Sequence, residues 1–166
     1  MGFMIKLLIL DVDGCMSDGK IIYTADGLEL KNFNVKDGFA IKAWVKMGHI
    51  AAIITGRDSA IVAHRAKELD IAHLYQGVKD KRTVAIQMCT ELGIEAHEVA
   101  VIGDDLNDYT LLQWAGQAYT PNDGSDYLKS FAEVLERRGG DACVREMIEK
   151  VIRRNGEEEK FLALWI

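Results

Sequence analysis

The chain has 166 residues, 49% of them hydrophobic, enough to bury the core of one domain (1–166) with no need of a second. Twenty-six Asp and Glu against twenty Lys and Arg leave a net charge of -6, which excludes a general affinity for nucleic acid or anionic membrane but allows a local basic site for a phosphate. Cys15, Cys89 and Cys143 are odd in number and lack Cys-x-x-Cys spacing, so they suggest neither a disulfide framework nor a zinc site and fit a reducing cytoplasm.

The chain opens on MGFMIKLLIL, an apolar run too short for a signal peptide or a membrane span, which stops at Asp11. LLIL at 7–10 is the first of four short apolar runs. IAAII at 50–54, VAVI at 99–102 and a weaker run around 117–119 follow, separated by segments of helical periodicity, and this alternation predicts a parallel α/β sheet. Between the first run and the first helix, Asp26-Gly27 stands between two strand-like stretches and predicts a β-hairpin flap over about 19–35. Asp37 is expected to cap a helix that passes Ala43 and Trp44 and stops at Gly48. Asp80 is expected to cap one that stops near Gly93. Two more helices are predicted, from about Asp58 to Leu69 and from about Cys143 to Arg154. The tail, about 156–166, changes from charged to apolar in NGEEEKFLALWI and should dock on its own core or on a neighbouring subunit.

The residues that follow the runs carry the chemistry. Asp11 and Asp13 follow the first, Thr55-Gly56-Arg57 the second, and Gly103-Asp104-Asp105 with Asp108 the run at 99–102. Ligands bind beyond the carboxyl ends of strands in an open parallel sheet, so these groups should converge. One Asp after a strand is commonly a loop former or cap. Asp-x-Asp-Gly after one strand and Gly-Asp-Asp-x-x-Asp after another is a different matter, because five clustered carboxylates raise one another's pKa unless a cation compensates. With no His or Cys expected among the ligands, the oxygen set favours Mg2+ over zinc. His49, His64, His73 and His97 fall at no ligand spacing. Gly14 and Gly103 suit backbone that approaches a ligand closely or needs positive φ.

These residues bring the chain into close resemblance with the haloacid dehalogenase superfamily of phosphotransferases. Four motifs stand in the family's order, LDVDG (10–14), ITG (54–56), a lysine in GVKDK (77–81) and IGDDLND (102–108), and together they cover nearly the whole chain. The resemblance implies a three-layer, doubly wound, Rossmann-like parallel sheet. MSDGKIIYTADG, NVKDGFAIK, IITGR, QGVKDK and RRGGDACVRE further resemble the group in which a hairpin replaces a large cap domain, which includes phosphatases acting on 3-deoxy-D-manno-octulosonate 8-phosphate.

By that resemblance, Asp11 attacks phosphorus and Asp13 serves as acid and then base. The Asp11 carboxylate, the Asp13 carbonyl and Asp104 hold Mg2+, with Asp105 or Asp108 behind them. Thr55, Gly56 and a lysine, Lys81 or Lys79, bind the phosphate. Arg57 suits bidentate capture of a sugar-acid carboxylate, and Arg65 and Lys36 are further substrate-binding candidates. The group also implies a homotetramer with the active site at a subunit interface.

The match weakens at Gly-Gly-Asp-Ala-Cys, where the octulosonate group shows Gly-Gly-x-Gly-Ala. Phosphatases of 2-keto-3-deoxynononate 9-phosphate are nearly as similar, but have an acidic residue in place of Arg57. A response-regulator receiver domain and an inactive regulatory domain on the same fold are the non-enzyme alternatives. Against the receiver stands motif order, and against the inactive domain the full set of reactive side chains.

Overall fold

A computed structural model describes residues 2–166; Met1, the first residue of the opening apolar run, lies outside them. Fifteen strands and helices follow in chain order. They are β1 (Leu7–Leu10), β2 (Ile22–Tyr23), β3 (Glu29–Leu30), α1 (Val35–Lys46), β4 (Ile50–Ile54), α2 (Ala60–Glu68), β5 (His73–Tyr75), α3 (Lys81–Leu92), β6 (Val99–Ile102), α4 (Tyr109–Trp114), β7 (Gln117–Thr120), α5 (Asp126–Lys129), β8 (Glu133–Val134), α6 (Cys143–Arg154) and α7 (Glu158–Leu162).

Six strands form one parallel sheet in the order β5-β4-β1-β6-β7-β8. The chain builds outward from β1 to β4 and β5, then returns to β6 and builds the other way. The topological switch therefore lies at β1, and a crevice opens there. Side chains alternate across each central strand. Leu8, Leu10, Ile53 and Ile102 pack on α1, α2 and α6, whereas Leu7, Ile9, Ile54 and Val101 pack on α3, α4 and α5. Both faces being covered, β1 and β6 are apolar at every position.

The hairpin is present but small. β2 and β3 pair antiparallel, Ile22 with Leu30 and Tyr23 with Glu29, around a turn in which Gly27 takes φ +87°. β5 and β8 escape the run-based reading because His73-Leu74-Tyr75 and Glu133-Val134 lie at the sheet edges and carry no apolar run.

The capping expectation holds for α3, where Asp80 accepts from Thr83 N and Gly93 ends the helix in the left-handed conformation. It fails for α1. Asn34 caps that helix, accepting from Lys36 N, and Asp37 is already inside its first turn. Asp37 caps another helix instead: its Oδ1 accepts from Arg145 N at 2.9 Å, in the first turn of α6, whose own N-cap position is Ala142. The tail docks on its own chain, with Phe161 buried and the Trp165 ring stacked on Phe39 at 4.3 Å, while Leu162, Leu164 and Ile166 stay exposed.

Candidate active site

β1 ends at Leu10, and the chain turns through Val12–Met16 with Gly14 at φ +92°. A Cβ at Gly14 would collide with the Asp104 carboxylate, so the missing side chain provides both the turn and the room for Asp104. Gly103 serves similarly, since a Cβ there would strike Asp108. The ends of β1, β4 and β6 thus meet around a crevice of about 280 Å³ lined by Asp11, Asp13, Gly19, Thr55, Gly56, Arg57, Asp104, Asp105 and Asn107. A larger hollow of about 620 Å³ adjoins it and shares Asn107, but its carboxylate, Asp80, is occupied in capping α3.

At the floor, Lys81 Nζ donates to Asp11 Oδ1 at 2.8 Å and to Asp108 Oδ1 at 2.6 Å, with the lysine side chain only 1% exposed. The other Asp108 oxygen accepts from the backbone N–H groups of Asp104 and Asp105. Asp108 therefore fixes the lysine and the loop that carries Asp104 together. Lys79, the other lysine of the motif, is exposed and lines the neighbouring hollow. Burial pulls the Lys81 pKa down, but the Asp11 and Asp108 carboxylates outweigh it and hold the ammonium charged.

Asp11, buried, and Asp104, half-buried, form a carboxylate pair. Burial raises both pKa values, and the neighbouring charges, Asp108 for Asp11 and Asp11 itself for Asp104, raise them further. Such a pair calls for a cation beyond the single charge of Lys81. Donor atoms of Asp11, Asp104 and Cys15 lie within 4.8 Å of one another. Cys15 is the departure from the expected all-oxygen surroundings. Burial and the Asp11 charge push its thiol pKa well up, so it stays protonated and is a poor ligand. The two carboxylates are what remain, and they fit a hard, oxygen-preferring ion such as Mg2+.

Asp13 sits at the rim, its side chain 22% exposed, and Lys31 Nζ donates to its Oδ1 at 2.6 Å. Lys31 comes from the hairpin, as does Glu29, which Lys31 also meets at 2.8 Å. Arg57 turns toward the same place, with Nη2 at 3.4 Å from Glu29 and 3.5 Å from the Tyr23 hydroxyl. Lys31 and Asn107 were missed in the sequence. Asn107 lay in plain view inside IGDDLND. Lys31 follows β3 and meets Asp13 across 18 positions of chain, so no local pattern marked it.

Two expected substrate residues do not come to this crevice. Arg65 lies over the Phe33 ring at 5.6 Å and borders a separate hollow with Val35 and Phe39. Lys36 is exposed and borders another with Arg137 and Arg145. The histidines also stand apart: His49 stacks on Trp44 and meets Glu157, and His97 packs on Phe3.

A doubly wound sheet with Asp-x-Asp, Thr and Gly-Asp-Asp at the ends of β1, β4 and β6, a lysine opening α3, and a hairpin with no large cap defines a haloacid dehalogenase-type hydrolase. The family model for haloacid dehalogenase-like hydrolases matches residues 70–138. The 3-deoxy-D-manno-octulosonate 8-phosphate phosphatase of Yersinia pestis is 40% identical over 149 residues, 89% of this chain and 80% of its own. That of Haemophilus influenzae is 33% identical over 158 residues, 95% of this chain and 88% of its own. Among solved structures, the Moraxella catarrhalis phosphatase in complex with magnesium ion, phosphate ion and KDO matches with a TM-score of 0.94 at 40% identity, covering 98% of this chain and 94% of that one. The chain belongs to this family of phosphatases, phosphoric monoester hydrolases of the haloacid dehalogenase superfamily.

Proposed function

We propose that this protein is a Mg2+-dependent phosphatase that hydrolyses 3-deoxy-D-manno-octulosonate 8-phosphate to the free sugar acid and phosphate through an aspartyl-phosphate on Asp11. The observation that carries the reading is the floor of the crevice, where Asp11 is held by the buried Lys81 beside a second raised carboxylate, Asp104. The Asp11 oxygen forms the bond to phosphorus as the sugar oxygen leaves, taking a proton from Asp13. Water then attacks the phosphoryl group, giving its proton to Asp13, and the bond to Asp11 breaks. Asp11, the Asp13 carbonyl and Asp104 would hold Mg2+, with Asp105 and Asp108 behind them. The ion, when bound, offsets the repulsion between an anionic nucleophile and an anionic phosphate. Thr55, Gly56 and Lys81 bind the phosphoryl oxygens.

Arg57 supports a sugar acid as substrate. It lines the crevice, and its Nη1 is buried without a hydrogen-bond partner among the described residues, which leaves a donor for a carboxylate. The crevice is open and the hairpin exposes Ile21, Tyr23, Leu28 and Leu30, which supports assembly into a homotetramer in which a neighbouring copy covers the site. No helix among the described residues is long and apolar enough to cross a membrane, and the free, buried thiols are compatible with work in the cytoplasm.

Two measurements test this reading. Asp11→Asn abolishes Mg2+-dependent phosphate release while the fold persists by circular dichroism; activity near that of the unmutated protein defeats the mechanism. Comparison of kcat/KM on the octulosonate 8-phosphate, the nononate 9-phosphate and simple sugar phosphates favours the first. A preference for simple sugars removes the role of Arg57.

A further inference from the structure

Proton transfer by Asp13 requires its carboxyl to be aimed, and nothing on its own loop does so. The only hydrogen bond to that side chain from the described residues comes from Lys31 Nζ, across 18 positions of chain. Lys31 is itself immobilised. Its side chain is 1% exposed, and its ammonium also meets Glu29 Oε1 at 2.8 Å. Glu29 is fixed in turn by strand pairing with Tyr23 and by Arg57 at 3.4 Å. An alternating row of charges, Asp13, Lys31, Glu29 and Arg57, thus ties the ends of β1 and β4 to one another through the hairpin. A solvated lysine would have been enough to neutralise Asp13. Burying a lysine between two carboxylates costs desolvation and fixes a geometry.

We infer that Lys31 is a positioning residue: anchored on Glu29, it holds one oxygen of Asp13 and leaves the other to the travelling proton, so that the hairpin belongs to the proton-transfer apparatus and not only to the cover. This inference rests on the acid and base role proposed for Asp13. A carboxylate has two oxygens, and occupying one with a fixed donor selects the side-chain rotamer and the face from which the other works.

Aryl and alkyl phosphates separate positioning from general damage. Nitrophenolate leaves phosphorus without being protonated, whereas the alkoxide of a sugar does not. In Lys31→Met, kcat on the octulosonate 8-phosphate falls by about 10²-fold with KM little changed, as expected for a misaimed group. Single-turnover release of nitrophenolate from p-nitrophenyl phosphate stays within about threefold, because that step needs no acid. Lys31→Arg recovers part of the loss. Lys31→Met leaves two carboxylates facing each other, so Lys31→Met combined with Glu29→Gln serves as the second variant should the first fold poorly, with the same expected split between substrates. An equal fall on both substrates, or wild-type kcat on the sugar phosphate, overturns the inference.

Hydrogen exchange of the hairpin amides, residues 20–32, is read without any turnover. It quickens in both Lys31→Met variants if the lysine is the tether, and unchanged exchange overturns the tether. If the unmutated protein releases phosphate from neither substrate, the phosphatase reading fails, and exchange alone then decides whether Lys31 fastens the hairpin to Asp13.

Discussion

Replacing Lys81 by methionine keeps the length of the side chain and removes its charge. Asp11 and Asp108, with side chains 7% and 1% exposed, then lose the ammonium they share. Breaking a buried ion pair from one side costs about 3–5 kcal/mol, because the remaining charge stays buried without compensation. Against a typical domain stability of about 5–15 kcal/mol this is a large fraction. The loss shows as a lower midpoint in urea denaturation near neutral pH. Added Mg2+ reduces the deficit by serving Asp11 but does not remove it, since Asp108 lies behind the Asp11 and Asp104 pair proposed to hold the ion. Phosphate release falls by about 10²–10³-fold, the scale for removing one donor aimed at developing charge. Lys79→Met is the control. That lysine is exposed, so its stability changes by about 0.5 kcal/mol or less and its activity persists. A Lys81→Met protein within about 1 kcal/mol of wild type would refute the buried-cation argument, and equal losses of activity in the two variants would refute the assignment of Lys81 over Lys79.

Two other substitutions probe the frame. Gly14→Ala forces a side chain into the left-handed region at φ +92° and drives a methyl into the Asp104 carboxylate. It costs about 1–2 kcal/mol from the backbone, and the Mg2+ concentration for half-maximal phosphate release rises about tenfold or more; an unchanged Mg2+ titration counts against Asp104 as a ligand. Asp37 has its pKa raised from 3.8 to about 6, chiefly by burial, so the folded protein binds that proton more tightly than the unfolded chain. The associated stability is present below about pH 4 and is lost as pH rises through about 6, by roughly 3 kcal/mol at most. Asp37→Asn has no such loss, so its urea stability gains on wild type between those pH values and stays level above them; parallel curves would show that Asp37 is not the titrating group.

How far the sequence could be read depended on whether a residue's partners were close in the chain. The central strands were legible because burial on both faces makes LLIL and VAVI apolar throughout. The carboxylates at their ends were legible because motif spacing fixes them relative to the strand. Edge strands are shorter and half covered, so β5 and β8 left no mark. Asp37 shows a different limit. A local rule assigned it to the helix it begins, yet its acceptor role is exercised on Arg145, 108 positions away, and only the packing of α1 on α6 makes that possible. Lys31 was hidden for the same reason, being a charged residue in a flap that looked solvent-facing until Asp13 closed over it. Arg65 sits two helical turns beyond Arg57, but α2 starts only at Ala60, and the arginine turns toward Phe33 instead of the crevice.

The departure at residues 139–143 bears on the backbone beneath the Val12–Met16 turn and not on the crevice. Gly140 N donates to Cys15 O, the Cys143 thiol donates to the same carbonyl at 3.2 Å, and a Cβ at Gly139 would collide with the Gly14 carbonyl. This loop is therefore a buttress for the segment that carries Asp11 and Asp13, and its two glycines are demanded by contact with that segment. Ala142 stands where the octulosonate pattern has its third glycine and takes φ +68°, a conformation that costs an L-residue about 1–2 kcal/mol. Its buried methyl offsets about 0.8 kcal/mol of that. Ala142 is not among the residues that line the crevice. The mismatch accordingly marks a small backbone strain and leaves the roles proposed for Asp11 and Arg57 untouched.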